Sequence, residues 1–333
     1  MEKKPFDIVR LHHAEVTVTD LERAKEFYVD GLGLIVTESD DRHLYLRALE
    51  DANHHCLVLT KGEQASLNHI SYRVSADEDL DELDKMFSKL GVAKKWIKPG
   101  EERGQGRALR IQDPGGLPVE FFYEMDKAER MLQKFHLQGN TKIKRIDHAN
   151  CLITDINTLY DWYADNLGFR TSEYTVTGYG EGERMWAAWM HRKPSVHDLA
   201  LISEKGPRFH HVGFWMDDAK SILDACDHLA AAGFSANIER TPGRHGTSNA
   251  FFVYVRDPDG NRLELYTGDY FTNDPDWDPV KWHLDDPQRA TFWGAAPPLS
   301  WTTEAVPVQD IMTGELIEPQ PLKLPADADT VES

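Results

Sequence analysis

The chain has 333 residues, 41% of them hydrophobic and 28% charged, and its 37 basic and 56 acidic side chains give a net charge of -19. That balance leaves no basic footprint for DNA, RNA or an anionic lipid surface, so neither nucleic acid nor membrane is an expected partner. No apolar run approaches the roughly 18 residues of a membrane span, and the opening MEKKPFDIVR lacks the apolar core of a signal peptide, which points to the cytoplasm.

In chain order, residues 10–34 (RLHHAEVTVTDLERAKEFYVDGLGL) read as an alternating strand, a helix start at Thr19-Asp20 and a helix ending near Gly33. LNHISYRV, from residue 67, reads as a strand, DLDELDKMFSKLG as a helix, and IQDPGGLPVEFFY, from residue 111, as a hairpin turning on DPGG. The series then recurs. RIDHANCLITDINTLYDWYADNLGF from residue 145 repeats the first block with Thr154-Asp155 and Gly168, followed by FHHVGFWM, the helix AKSILDACDHLAAAG and the hairpin VRDPDGNRLELY. These blocks imply an α+β fold of two repeated halves, each of paired βαβββ modules, with four strands in each curled sheet around a cavity. The expected domains are 1–130, 144–270 and a Pro- and Trp-rich C-terminal tail, 271–333, whose last dozen residues are expected to be disordered. Cys56, Cys151 and Cys226 share no CxxC spacing and read as small buried residues.

The second copy of the repeat carries His148, His211 and Glu264, one in each of three strands. Two imidazoles and one carboxylate on one face of an ion leave open positions opposite, the arrangement that suits non-haem Fe(II) and its need to hold substrate and dioxygen together. A lone strand histidine is more often structural than metal-binding, but His13, His69 and Glu120 occupy the same places in the first copy, and a set that recurs in register is not chance. The second copy is the expected working site, because Asn150, His197, His245 and Tyr254 surround it. At the matching positions the first copy has Glu15 for Asn150, Arg110 for Tyr254, an acidic stretch near Glu101 for His245, and His55 for His197. The first set is then a relic, or a second metal site.

These residues, together with AAWMHRKPSVHD, GPRFHHVGF, IERTPGRHGTSNAFFVYVRDPDGNRLELYTGDY and WGAAPPLSW, resemble the type I extradiol dioxygenases of the vicinal oxygen chelate superfamily, and within them the branch that cleaves homoprotocatechuate (3,4-dihydroxyphenylacetate). The resemblance covers residues 7 to about 305. It implies Fe(II) or Mn(II) on His148, His211 and Glu264, a catechol and O2 as substrates, and a muconic semialdehyde as product. It implies further that His197 is the acid/base and that Tyr254, Asn150 and His245 act beside substrate and oxygen. Arg240 and Arg289 are expected to hold the substrate carboxylate, Trp189 and Trp301 to touch the substrate, and the chain to form a homotetramer. Trp186 and Trp293 are expected in the core. Two departures stand out: close members lack a full first triad, and they carry a second arginine where Ala290 stands. The rival readings are an extradiol enzyme for another catechol, a ligand-sequestering protein of the same fold, and a glyoxalase-like isomerase. The last would need a spare carboxylate that the second copy does not offer.

Overall fold

The computed structural model describes residues 4–139 and 141–323; the last ten residues, most of the segment expected to be disordered, lie outside them. The first half contains β1 (Ile8–Val18), α1 (Leu21–Lys25), β2 (Ile35–Ser39), β3 (His43–Arg47), β4 (Leu57–Lys61), β5 (Ser66–Val74), α2 (Glu78–Leu90), β6 (Lys94–Ile97), β7 (Ala108–Gln112) and β8 (Pro118–Phe122). The second half repeats the series with β9 (Arg145–Ile153), α3 (Ile156–Leu167), β10 (Arg170–Thr177), β11 (Arg184–His191), β12 (Leu199–Ser203), β13 (Arg208–Trp215), α4 (Ala219–Ala231), β14 (Ile238–Arg244), β15 (Phe251–Arg256) and β16 (Arg262–Thr267). The tail adds β17 (Val280–His283), α5 (Pro287–Ala290), α6 (Leu299–Thr303) and β18 (Val306–Pro307).

Each module does contribute four strands, but the modules do not form separate four-stranded sheets. They join edge to edge through the antiparallel pairs β1–β5 and β9–β13, giving a sheet of eight strands and one of ten, the second including β17 beside β10 and β18 beside β13. Local chemistry explains the helix starts. The Asp20 carboxylate accepts from the amides of Glu22 and Arg23, and Asp155 accepts from Thr158, satisfying amides that have no partner in the first turn. The first helix stays α-helical only to Lys25 and widens into a looser turn through Gly31. Gly33 follows at φ +71°, where a side chain would collide with the Thr141 carbonyl.

One apolar core runs through both halves, with Phe27 of the first half edge-on to Phe234 of the second and Phe87 stacked on Trp162. Reciprocal hydrogen bonds accompany it. The Tyr28 hydroxyl donates to Asp257 at 3.0 Å and the Tyr163 hydroxyl to Asp113 at 2.9 Å. Both tyrosines come from the first helix of a half and both aspartates from its DPxG turn, so each half caps the other's turn with equivalent residues. Among the described residues no helix is long and apolar enough to cross a membrane.

Candidate active site

Strand register assembles the site. Across the second sheet, His148 on β9 stands opposite Gly213 on β13, which stands opposite Glu264 on β16, which stands opposite Tyr254 on β15; His211 pairs with Asn150. Gly213 is required here, because a Cβ would lie 2.1 Å from Cε1 of His148. The three donor atoms converge: His148 Nε2 is 3.0 Å from Glu264 Oε2, His211 Nε2 is 3.2 Å from the same oxygen, and the two nitrogens are 3.2 Å apart. Three mutually adjacent ligands on an octahedral ion, each about 2.1–2.2 Å from it, stand about 3.0 Å from one another. The set therefore fits a facial triad.

The surroundings select the imidazole tautomers such an ion needs. His148 Nδ1 donates to Asp147 Oδ2 at 3.2 Å, and that carboxyl is held far below its usual range against burial by Lys193, whose Nζ is 3.3 Å away. His210 donates from Nε2 to the Trp301 carbonyl at 2.9 Å, leaving its Nδ1 to accept from His211 Nδ1 at 2.6 Å. Both ligand imidazoles thus carry a proton on Nδ1 and direct a bare Nε2 inward.

A cavity of about 190 Å³ opens on this triad. His211, Glu264, Asn150, His197, His245, Tyr254, Arg289, Trp189 and Trp301 all line it, so most of the expected set comes together. The His197 ring lies 4.0 Å from that of His148, and burial, with His148 and Lys193 adding to it, keeps its imidazole well below the ordinary value and hence neutral. Burial likewise lowers His245, whose Nδ1 donates to the Ala290 carbonyl at 2.5 Å, so its Nε2 accepts from the Tyr254 hydroxyl at 3.0 Å. Burial raises the Tyr254 phenol well above its ordinary value, which keeps that proton in place.

Arg240 is placed differently from the rest. It is 1% exposed, does not line the cavity, lies over the Phe252 and Trp301 rings, and donates from one nitrogen to the Ala290 carbonyl and the Thr291 hydroxyl. Trp186 was expected in the core and instead lines the cavity, with the Arg289 guanidinium 4.9 Å over its ring, while Trp293 is half exposed. Sequence reasoning missed Asp147, His210 and Gly213, although each is beside or across from a ligand and the doubled histidine in RFHHVGF is visible. It also missed Glu173. This carboxylate, 1% exposed on β10, accepts from the Ser248 amide at 2.7 Å, from Trp282 Nε1 at 2.6 Å and from the Tyr270 hydroxyl, tying the cavity-lining loop, the segment after β16, and β17 of the tail to one point.

The first half has the same row, His13–Ser71–Glu120–Arg110, with His69 opposite Glu15. Its donors are looser, at 3.3, 3.5 and 3.6 Å, since Ser71 stands where Gly213 leaves room. Glu120 is already taken, accepting from Ser71, from Gln105 and twice from Arg110.

Comparison with known proteins now decides the family. The profile of the Glyoxalase/Bleomycin resistance protein/Dioxygenase superfamily matches residues 10–121 and 145–265. The chain belongs to the extradiol dioxygenases of this superfamily. It is 35% identical over 299 residues to the manganese-dependent 2,3-dihydroxybiphenyl 1,2-dioxygenase of Geobacillus genomosp. 3, covering 86% of this chain and 94% of that one. It is 32% identical over 332 residues to the metapyrocatechase of Geobacillus stearothermophilus, covering 94% and 97%. Among solved structures, the homoprotocatechuate 2,3-dioxygenase of Arthrobacter globiformis superposes with a TM-score of 0.90 at 42% identity, over 96% of this chain and 98% of that one. The Brevibacterium fuscum enzyme in complex with 3,4-dihydroxyphenylacetate gives 0.89 at 42% identity, with the same coverage.

Proposed function

We propose that this extradiol dioxygenase cleaves 3,4-dihydroxyphenylacetate with O2 to 5-carboxymethyl-2-hydroxymuconate semialdehyde, both oxygen atoms entering the product. One observation carries the reading: a single cavity is lined by His211 and Glu264 of the triad, a neutral buried imidazole and the Arg289 guanidinium, whose buried Nε has no partner. Two more buried donors without partners, Nε and Nη1 of Arg240, lie close behind its wall. Buried N–H donors of that kind call for an acceptor, and a planar guanidinium matches a carboxylate.

His148, His211 and Glu264 would hold the Fe(II) or Mn(II). When bound, the ion supplies Lewis acidity toward the catechol hydroxyls and an electron path between ring and dioxygen. The chain's own groups do the rest. Neutral His197 takes the proton of the second catechol hydroxyl and holds it for return during ring opening. Tyr254, fixed by His245, and Asn150, whose Oδ1 is unpaired, present polar groups beside the reacting ring. Trp186, Trp189 and Trp301 offer flat apolar walls that exclude water.

The test is reconstitution with Fe(II) or Mn(II) under nitrogen, then substrate and air, following the yellow semialdehyde. The proposal expects 3,4-dihydroxyphenylacetate to exceed catechol in kcat/KM by at least about tenfold, roughly the value of one carboxylate contact. Equal or lower efficiency would favour a different catechol as substrate, a reading supported by the relatives named for 2,3-dihydroxybiphenyl and as metapyrocatechase. The proposal includes a homotetramer, for which exposed Phe135, Leu137, Phe271 and Leu299 are candidate contacts; light scattering measures it directly.

A further inference from the structure

The row His13–Ser71–Glu120–Arg110 poses a question that its counterpart does not. Three donors converge in a fully buried place, yet the side chain next in register is a cation instead of a phenol. We propose that the first half keeps a latent metal site that Arg110 closes, its guanidinium standing in for the ion, so that the native chain loads one metal and opening the site admits a second, tetrahedral-preferring cation such as Zn(II) or Co(II).

The geometry is specific about what Arg110 replaces. Its Nη2 lies 2.5 Å from Glu120 Oε2 and 3.5 Å from His69 Nε2, so one nitrogen faces two of the three donors. The same nitrogen reaches Glu102, the fourth residue of the cluster. His69 turns Nε2 toward the cluster, where the Arg110 guanidinium can only donate to it, the side a metal-ligating histidine would present. The guanidinium N–H thus takes the lone pair that an ion would take. In the second half the neutral Tyr254 stands at this register, its hydroxyl 3.0 Å from His245 Nε2, and among the described residues Glu264 makes no ion pair with Lys or Arg.

Spacing selects the class of ion. Donors at 3.3, 3.5 and 3.6 Å are too far apart for adjacent octahedral positions. They match a tetrahedral ion with ligands at about 2.1 Å, which spaces them about 3.4 Å apart. Charge agrees. Arg110 pairs directly with Glu120 and Glu102, so taking it away leaves the buried Glu120 carboxylate without its cation, a place a divalent ion fills. A cavity of about 240 Å³ lined by Glu15, Tyr45, His55, Glu102 and Arg110 gives the ion a way in.

The test counts metal. Native chain and Arg110→Tyr are loaded with Co(II) without oxygen, freed of loose ion by gel filtration, and assayed for cobalt by emission spectrometry and for visible absorption. One cobalt per native chain is expected and two per variant, the second bringing the strong visible bands of four-coordinate Co(II). Two per native chain, or one per variant with native circular dichroism, would overturn the proposal. Arg110→Met serves if the tyrosine variant does not fold, and Arg110→Lys, which keeps the cation, should stay at one. Zn(II) should raise the Tm of Arg110→Tyr in a background with His211→Ala and leave that of His211→Ala alone unchanged; a Zn(II)-dependent rise in His211→Ala alone would show the native first site already open and would overturn the idea.

Discussion

The two halves of this chain are the same device set to opposite ends. Both place two histidines and a glutamate on one row of a curled sheet, and two substitutions along that row separate them. Gly213 in the second half is Ser71 in the first, and Tyr254 is Arg110. The glycine lets His148 draw in until the donors stand 3.0–3.2 Å apart; the serine holds the first set open and gives its hydroxyl to Glu120. The phenol brings no charge to the carboxylate, whereas the guanidinium pairs with it. A metal site is therefore defined as much by what stays off the ligands as by the ligands themselves.

The comparison breaks most sharply at the triads. His211→Ala should abolish metal retention and lower kcat/KM by at least about 10³-fold, the share a Lewis-acid ion carries, while His69→Ala should leave kcat/KM within about twofold and lower only Tm. Metal analysis and steady-state kinetics on the pair decide it, and equal losses would refute the division of labour. Next come the paired histidines beside each triad. His197→Phe should retain metal and lower kcat by about 10²–10⁴-fold, the usual weight of a proton-transferring group, whereas His55→Phe should not change kcat. A smaller effect is expected at Asp147→Asn, where a weaker hold on His148 Nδ1 should reduce Mn(II) affinity about 10–100-fold by chelator competition. Glu15→Gln, beside the first set, should leave the metal content at one per chain.

The smallest effects test what joins the halves. Tyr163→Phe should cost about 1–3 kcal/mol in denaturant unfolding, because it strips Asp113 Oδ2 of its hydroxyl donor, and Tyr28→Phe should cost less, because Asn261 Nδ2 still donates to Asp257 Oδ2. Burial pushes Asp113 up to about 7 and Asp257 up to about 6, against the pull of the donors around them. A folded value above the unfolded value of about 4 means the fold prefers the neutral carboxyl. This contribution to stability is intact below about pH 4 and is lost as pH rises through 6 to 7. Relative to the native chain, Asp113→Asn should lose less Tm between pH 5 and pH 8, and an unchanged slope would assign the pH dependence elsewhere.

The triad was legible because the repeat put the same three residue types in register twice, and strand alternation then turned them to one face. His245, Tyr254 and Asn150 followed from their absence in the first copy, and His197 from the family resemblance of AAWMHRKPSVHD. What escaped the sequence depends on contacts between segments remote in the chain. Nothing local says that β17 lies beside β10, that Glu173 meets Trp282, or that Arg240 stops behind the cavity wall against the carbonyl of Ala290. Trp186 escaped for a simpler reason, since a buried tryptophan has the same sequence signature whether it faces core or cavity. The fusion of four modules into two wide sheets was hidden too, as edge pairing between β1 and β5 leaves no mark in either strand's pattern.

Glu173 fastens one wall of the cavity to two segments that lie outside it. One carboxylate receives the loop amide of Ser248, the indole of Trp282 and the phenol of Tyr270, so none of these segments can leave without stranding a buried charge among the others. Freeing the cavity-lining loop therefore means giving up three hydrogen bonds at one buried carboxylate together, not one at a time.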